Sequence, residues 1–274
     1  MSDSNDERNA SARFPLAFFV IAFVFAWAIW LVPLASTRGW ISSPRIASLE
    51  VAFLVVGAFG PLVSSFLLTY RAGGGRALRE IAGRALRYRI PAAQLLVAVL
   101  LLPALAALAV YLHSREGGAA LQWTMPFPIV ALNYVLLFFL GGSLQEEFGW
   151  AYAIDRMQRQ WPLPGSSMGL GVIWGLWHLP LFFIPGLSQT FLPLWTFLLM
   201  TVSLRVLMVW VYNAAQRSVL ATLLFHTSLN FSLNAFPIVQ RSENTFPRSW
   251  LYFVLLLCLA SVPVIWRQAR EKTR

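Results

Sequence analysis

Long apolar runs that recur along the whole chain constrain its fold more than any other feature. Eight segments of about 20 residues carry few charges, at residues 14–35, 46–70, 91–112, 127–155, 167–185, 191–212, 218–237 and 249–266. About 20 apolar residues in a helix cross the ~30 Å hydrocarbon core of a bilayer. The composition agrees, because 58% of the residues are apolar and 12% are charged, against roughly 25% charged in soluble domains. We therefore predict an all-α, polytopic membrane protein with a single bundle of about eight transmembrane helices.

These segments occupy nearly all of the chain, so we expect no separate soluble domain. A polar tail at residues 1–13 and a basic tail at 267–274 flank the transmembrane domain, residues 14–266. Residues 71–89, with three consecutive glycines, are predicted to form a linker or a short amphipathic helix on the inner leaflet. The single cysteine, Cys258, excludes an intrachain disulfide and a thiolate-rich metal site.

The distribution of lysine and arginine predicts the orientation in the membrane. Fifteen of these residues fall on the side of the two termini, six of them in residues 71–89, and five fall on the other side. Cytoplasmic loops carry the excess of positive charge, so we predict that both termini are cytoplasmic. Topology and anionic lipid headgroups then account for the net charge of +10, and no nucleic-acid partner is needed.

Several polar side chains fall inside the predicted helices, where they are costly and by default mark a functional site. They are Glu146, Glu147, His178, Arg205, His226 and Asn230. At 1.5 Å per residue, the two glutamates, the two histidines and the arginine lie roughly 10–16 Å from the cytoplasmic ends of their helices. We therefore expect them to meet in one cavity that opens towards the cytoplasm. Glu50 and His113 are assigned to membrane boundaries instead.

The spacing of these residues also indicates which way they face. His226 and Asn230 are four residues apart and project from one side of a helix. Glu146 and Glu147 are neighbours and diverge by about 100°, so one should face the reacting centre while the other pairs with a cation. Glycines in both helices that carry the acid pair and His178 are expected to let those helices approach each other closely.

Two imidazoles, a carboxylate and an amide at one depth suit hydrolysis of a peptide bond. The carboxylate could take a proton from an attacking water, while His226 and Asn230 stabilise the oxyanion. Alternatively, Glu146, His178 and His226 form a known ligand set for a catalytic zinc ion. The spacing leaves both mechanisms open. The HExxH pattern of helical zinc proteases is absent.

Three short motifs in the order "EEFGWAY", "WGLWH" and "HTSLN" resemble the CPBP family over about residues 126–236. This family comprises CAAX proteases and bacteriocin-processing enzymes, and is also called the ABI or type II CAAX prenyl endopeptidase-like family. The resemblance implies an eight-helix intramembrane endopeptidase, here in a bacterial plasma membrane, that cleaves a membrane-associated protein or peptide. It implies that Glu146 and His178 activate water, that His226 and Asn230 complete the site, and that Glu147 is the second motif acid.

The chain departs from the family motifs at two positions. Ala151 occupies the position of the motif arginine, and Trp174 occupies that of the motif phenylalanine. We expect the exchange of one large aromatic side chain for another to have little effect. For the missing cation, we hypothesise that Arg205 replaces it from another helix by pairing with Glu147.

Two other classes of function fit the same residues. A non-catalytic membrane protein, such as a bacteriocin-immunity protein, could bind a peptide in the same cavity. A proton-coupled transporter could use Glu146 and Glu147 as a proton relay, but its acids would need access from both membrane faces.

Overall fold

The computed structural model describes residues 14–41, 44–118, 120–239 and 248–270, and these ranges are helical without any strand. The predicted tail at residues 1–13 and the last four residues lie outside the described ranges. The α-helices are α1 (Leu16–Thr37), α2 (Pro44–Ser48), α3 (Glu50–Ala58), α4 (Gly60–Gly83), α5 (Ala92–Ser114), α6 (Val130–Leu140), α7 (Ser143–Met157), α8 (Leu163–Trp177), α9 (Leu194–Ala214), α10 (Val219–Ala235) and α11 (Arg248–Arg270). Short 3₁₀ helices follow α4 (Arg84–Leu86), precede α6 (Phe127–Ile129) and lie between α8 and α9 (Leu179–Phe183 and Ser188–Phe191).

The chain forms a polytopic membrane bundle, as predicted. In the described ranges, six helical segments are long and apolar enough to cross a membrane, and α6 with α7 makes a seventh if this bent pair is one span. The remaining predicted segment corresponds to α10, which has 17 residues. Most residues of α10 are buried among the other helices, and these include His226, Thr227 and Ser228, whose side chains face protein rather than lipid.

The predicted helix at residues 127–155 is broken in the structure. Helices α6 and α7 meet at an angle of 47° across Gly141 and Gly142. Gly142 has a φ of +103°, a backbone conformation that side chains other than glycine rarely adopt. The break places the N-terminus of α7 inside the bundle, and Glu146 lies in its first turn.

Glycines do permit close helix contacts, but not between the two helices that we predicted. A Cβ on Gly149 of α7 would lie 2.4 Å from Pro61 of α4. A Cβ on Gly171 of α8 would lie 2.5 Å from Val202 of α9. The glycine faces of α7 and α8 therefore pack on α4 and α9, which are their most extensive neighbours. The acid pair and His178 come together through side chains instead.

The two ends of the bundle carry different amounts of charge. At one end, Arg84 bonds to Asp155 at the end of α7 at 2.5 Å, and Arg87 donates to the carbonyl of Gln216 between α9 and α10 at 2.7 Å. We call this the arginine-rich end, comprising residues 71–89, 158–162 and 215–218. At the opposite end, Arg248 of α11 pairs with Glu116, which follows α5. Segments assigned to one side by the sequence thus lie at one end of the bundle.

The glycine-rich part of residues 71–89 interrupts α4. Gly73 and Gly74 leave helical geometry, Gly74 with a φ of +60°, and a second helical piece follows. In this piece Ile81 is buried, whereas Arg76 and Arg79 are exposed. The segment is therefore the amphipathic helix that we gave as one of two alternatives, with its apolar side packed on the bundle.

Candidate active site

Glu146 is buried, and its two carboxylate oxygens have different surroundings. The indole Nε1–H groups of Trp150 and Trp174 donate to Oε2, at 3.1 and 2.6 Å. The other oxygen, Oε1, lies 2.7 Å from the position that a Cβ on Gly142 would take. Two fixed donors on one oxygen orient the carboxylate and leave Oε1 directed at the helix break.

Glu147 points away from Glu146 and is held by a cation. Arg205 of α9 donates from both terminal nitrogens to the two oxygens of Glu147, each at 2.9 Å, and both side chains are buried. The pairing that we hypothesised is therefore present. His226 Nδ1 also lies 2.9 Å from Glu147 Oε1. A bidentate arginine leaves Glu147 little freedom, so this carboxylate fixes the imidazole of His226.

Both histidines use Nδ1 for protein contacts and leave Nε2 for another partner. His178 Nδ1 lies 2.8 Å from the carbonyl oxygen of Trp174. Because a carbonyl and a carboxylate oxygen only accept hydrogen bonds, Nδ1 carries the proton in each histidine. The two imidazole rings stand edge-on to the ring of Trp174, with centroids 5.6 Å (His178) and 5.4 Å (His226) away. Trp174 therefore contacts Glu146, His178 and His226, three of the groups that we predicted to meet.

Glu146 and His226 converge at the helix break. A Cβ on Gly142 would lie 2.7 Å from Glu146 Oε1 and 3.7 Å from His226 Nε2. Both atoms thus border the same small space, which only a glycine at position 142 leaves open. Glu146, His178 and His226 line one cavity, whereas Glu147 and Arg205, which we expected in the same cavity, do not line it.

Asn230 lines the same cavity as His226, as their spacing predicted. Its Nδ2 donates at 2.6 Å to the carbonyl of Gly141, the residue that follows α6. We expected this amide to bind the oxyanion, but one of its two hydrogens holds the helix break in place. The second hydrogen is the one that could serve a substrate.

A cavity of about 260 Å³ contains these groups. It is lined by Trp30, Leu54, Val55, Ala58, Leu140, Gly141, Gly142, Glu146, Trp177, His178, Leu181, Leu187, Gln189, His226 and Asn230. Neither a lysine nor an arginine is among these lining residues. The walls are mostly apolar, and the polar groups are grouped at one end around Glu146.

The cavity does not open where the sequence led us to expect. We predicted an opening towards the arginine-rich end, yet the cavity lies on the other side of Glu146. Leu54, Leu140 and Gln189 line it from segments remote from the arginine-rich end, whereas Trp150 and Trp174, which lie towards that end, are buried. Sequence distance underestimated the depth of His178, because α8 begins at Leu163, and it contained no information on which side of the residues is filled.

The metal alternative depends on how the possible ligands are arranged. Some features suit zinc, because each histidine has its Nδ1 fixed by an acceptor and its Nε2 unused. However, within the described ranges no three His, Cys, Asp or Glu side chains are grouped closely enough to hold a metal ion. Glu146, His178 and His226 thus share the cavity without forming a ligand set in this geometry.

The packing around Ala151 shows what surrounds the position of the motif arginine. Ala151 is buried beside a small cavity of about 10 Å³ that Glu147 and Arg205 also line. The guanidinium of Arg205 lies over the ring of Trp174, 4.0 Å from its centroid. The cation therefore reaches Glu147 from α9 instead of from the next turn of α7.

Sequence reasoning missed two residues of the site and undervalued a third. Trp150 follows Glu146 by four residues on one helix, a spacing that could have revealed it. Gly142 was assigned to helix packing, although two adjacent glycines before an acid pair also fit a break. Trp174 was expected to act only as a large aromatic, but its Nε1–H bonds to Glu146, which a phenylalanine could not do.

Glu50 and His113 are not among the residues that line the cavity; His113 bonds to Ser249 at 2.7 Å.

Two comparisons with known proteins show what the region around this site resembles. Residues 128–232 match the family described as "Type II CAAX prenyl endopeptidase Rce1-like". The chain is also 23% identical over 242 residues to the CAAX prenyl protease 2 of Methanococcus maripaludis, covering 84% of this chain and 87% of that protein. The matched region contains α6 to α9 and most of α10, hence Glu146, Glu147, His178, His226 and Asn230. The expected resemblance is confirmed: over residues 128–232 the chain is similar to the Rce1-like type II CAAX prenyl endopeptidases.

Proposed function

We propose that this protein is an intramembrane endopeptidase that hydrolyses a peptide bond of a membrane-associated protein or peptide, with Glu146 as the base. The observation that carries the proposal is the asymmetry of Glu146. Oε2 is fixed by two indole N–H groups, while Oε1 borders the cavity together with Nε2 of His226. A carboxylate held in this way can bind a water molecule and take its proton in a fixed direction.

The reaction can be written with the groups that line the cavity. A water molecule bound to Glu146 Oε1 loses a proton to this oxygen as it attacks the carbonyl carbon of the substrate. The carbon–nitrogen bond then breaks, and the proton on Glu146 passes to the leaving nitrogen. His178 Nε2 can accept the second hydrogen of the water and so orient it. Confining water and peptide in one small cavity supplies part of the rate enhancement.

The oxyanion formed in the attack needs hydrogen-bond donors. The second amide hydrogen of Asn230 is one candidate, because the first is bound to Gly141. His226 could donate only as an imidazolium, whose charge the Glu147 carboxylate would balance at 2.9 Å. One such donor typically contributes about 2.7–4 kcal/mol to transition-state stabilisation.

Our mechanism uses protein groups alone, and zinc is the competing proposal. Zinc would have to be held by Glu146, His178 and His226 after a change in their spacing, and it would polarise the carbonyl and activate the water. Metal analysis of the purified protein and treatment with a chelator separate the two. We expect activity to persist in the chelator; a stoichiometric metal whose removal abolishes activity would refute the metal-free mechanism.

The proposed activity is tested with Glu146→Gln, which removes the base but keeps the size of the side chain. We expect the variant to fold, to be inserted in the membrane and to lose cleavage. The matched control is Glu80→Gln, because Glu80 is exposed on the second helical piece of α4. Substrates are found by comparing membrane-protein fragments between cells with each variant. A Glu146→Gln protein that still produces the fragments of the unaltered protein would refute the proposal.

The same variant separates the other two functions. A non-catalytic binding or immunity protein would keep its phenotype in Glu146→Gln, because the cavity keeps its shape. A proton-coupled transporter would lose uptake driven by a pH gradient. The buried Trp150 and Trp174 speak against transport, since they separate Glu146 from the arginine-rich end.

A further inference from the structure

We infer that Trp27 of α1 is a positioning residue for His178, although α1 lies outside the matched residues 128–232. The indole N–H of Trp27 satisfies a carbonyl that Pro180 leaves without a backbone donor, and it thereby holds the end of α8 in the geometry that orients the imidazole. The inference deepens the proposed function, on which the catalytic role of His178 rests. The contacts themselves do not depend on that function.

The end of α8 changes from an α-helical to a 3₁₀ hydrogen-bond pattern. In an α-helix the N–H of His178 would bond to the carbonyl of Trp174, four residues earlier. It bonds instead to the carbonyl of Gly175 at 3.2 Å, and the N–H of Leu181 bonds to the carbonyl of His178 at 2.9 Å. A 3₁₀ helix follows directly. Pro180 explains the change, because in an α-helix a proline ring clashes with the carbonyl four residues before it.

The 3₁₀ pattern leaves two carbonyl groups of α8 in need of a donor. The carbonyl of Trp174 is released by the N–H of His178, and it accepts the Nδ1–H of the same residue at 2.8 Å. The carbonyl of Trp177 would receive the N–H of residue 180 in a 3₁₀ pattern, but proline has no N–H. A carbonyl without a donor is costly inside a bilayer. The pattern therefore requires a donor from another part of the chain.

Trp27 supplies this donor from α1. Its Nε1–H donates to the carbonyl oxygen of Trp177 at 2.9 Å. In return, the Nε1–H of Trp177 donates to the carbonyl of Ala22, also in α1, at 3.3 Å. The ring of Trp30 packs on the ring of Trp177, with centroids 4.6 Å apart. Helix α1 therefore contacts the last residue of α8 through its carbonyl, its indole N–H and its ring.

Loss of the bond from Trp27 would change the partner of His178. The α-helical pattern would become closer in free energy, because in it the N–H of Leu181 donates to the carbonyl of Trp177. The N–H of His178 would then compete with the imidazole for the carbonyl of Trp174. Without this acceptor the proton would move between Nδ1 and Nε2, and a protonated Nε2 cannot accept a hydrogen bond from water. Trp27 thus maintains the tautomer that the proposed mechanism uses.

The test measures the tautomer of His178 by nitrogen NMR of the purified full-length protein with labelled histidine. Trp27→Phe removes the indole N–H but also shortens the ring. A second variant carries benzothienylalanine in place of Trp27, which keeps the shape of the indole and has sulfur instead of the N–H. The control is Trp250→Phe, which removes an indole hydrogen bond of α11. The chain has three histidines, and their signals are assigned with His113→Gln, His178→Gln and His226→Gln.

We expect a single tautomer of His178 in the unaltered protein, with the proton on Nδ1, and exchange between two tautomers in both variants at position 27. His226 should keep its signals, because its Nδ1 bonds to Glu147. Trp250→Phe should leave both histidines unchanged. An unaltered tautomer of His178 in the benzothienylalanine variant would overturn the inference. Equal changes at His178 and His226 would overturn it as well, since they would indicate a general loosening of the bundle.

Kinetics separate positioning from a general loss of stability. Trp27 is not among the residues that line the cavity, so substrate binding should be retained. We expect the benzothienylalanine variant to have kcat lowered about tenfold with KM unchanged, because one hydrogen bond has effects of this size. A raised KM with unchanged kcat would contradict the positioning role.

The NMR measurement does not depend on proteolysis, so the two proposals can fail separately. An unaltered protein that shows the expected tautomers but cleaves no peptide refutes the proposed function and leaves the contact between Trp27 and the end of α8 as the cause of the tautomer. An active protein in which the tautomer of His178 does not respond to Trp27 refutes the positioning role and leaves the Glu146→Gln test intact.

Discussion

Single hydrogen bonds determine which atoms of the acid pair are available for chemistry. Glu146 has one oxygen bound by two indoles and the other directed at the cavity, whereas both oxygens of Glu147 are bound by Arg205. The two adjacent glutamates therefore have separate surroundings: the first faces the cavity, and the second fixes His226. The sequence predicted this division from the 100° between neighbours on a helix and predicted Arg205 as the partner of Glu147, but not the two indoles that hold Glu146.

Replacing Trp174 with phenylalanine tests whether the indole N–H orients Glu146. The ring remains, while the 2.6 Å hydrogen bond to Oε2 is lost. Hydrogen bonds to charged groups contribute about 1.5–3 kcal/mol, so we expect cleavage to fall roughly 10- to 100-fold. The control is Trp250→Phe, which loses an equally buried indole bond, to Thr196, and neither of these residues lines the cavity. Equal activity of the two variants would contradict an orienting role for Trp174.

Variants at Arg205 and Ala151 test whether the cation that pairs with Glu147 can come from either position. Removing Arg205 leaves Glu147 buried without a cation, so we expect Arg205→Ala to cost roughly 3–5 kcal/mol of stability. Adding Ala151→Arg should restore much of it, because Ala151 borders the cavity between Glu147 and Arg205. Thermal unfolding of the single and double variants in detergent measures the difference. A double variant no more stable than Arg205→Ala would show that the two positions do not exchange roles.

At the scale of helices, the break between α6 and α7 creates the site. It brings the start of α7 into the bundle, and Asn230 fixes it through Gly141. The sequence did not reveal the break, because two glycines inside an apolar run fit close helix packing as well as a change of direction. The choice depends on the bond from Asn230, a residue about ninety positions away, which a local pattern does not contain.

The break predicts a specific effect of Gly142→Ala. The φ of +103° makes alanine unfavourable by about 1–2 kcal/mol, and its Cβ would lie 2.7 Å from Glu146 Oε1. We therefore expect lower stability together with nearly complete loss of cleavage. Gly186→Ala is the control, because its φ of +86° brings a similar backbone cost while its Cβ meets nothing within 4 Å. If both variants lose stability and activity alike, crowding of Glu146 is not the cause.

At the scale of the whole molecule, the helical bundle and the meeting of three helices at one depth were predictable from hydropathy and residue counting. The filled side of the site was not, because it depends on which large side chains pack there. Trp150 and Trp174 look like ordinary apolar residues in the sequence, yet they seal Glu146 from the arginine-rich end. Side chains therefore fill the bundle between Glu146 and the arginine-rich end, and the cavity lies on the other side of Glu146.

Removing a polar contact at the arginine-rich end should lower stability more than removing one at the opposite end. Asp155 bonds to Arg84 at 2.5 Å and to Tyr212 at 3.1 Å, joining α7, α9 and the segment after α4. Because this network is mostly buried, we expect Asp155→Asn to lower stability by roughly 2–3 kcal/mol, somewhat less than for a fully buried pair. Glu116→Gln breaks the exposed pair with Arg248 at the opposite end, where the ion pair contributes little. Thermal unfolding of both variants measures the difference, and a larger loss in Glu116→Gln would contradict a closed, rigid arginine-rich end.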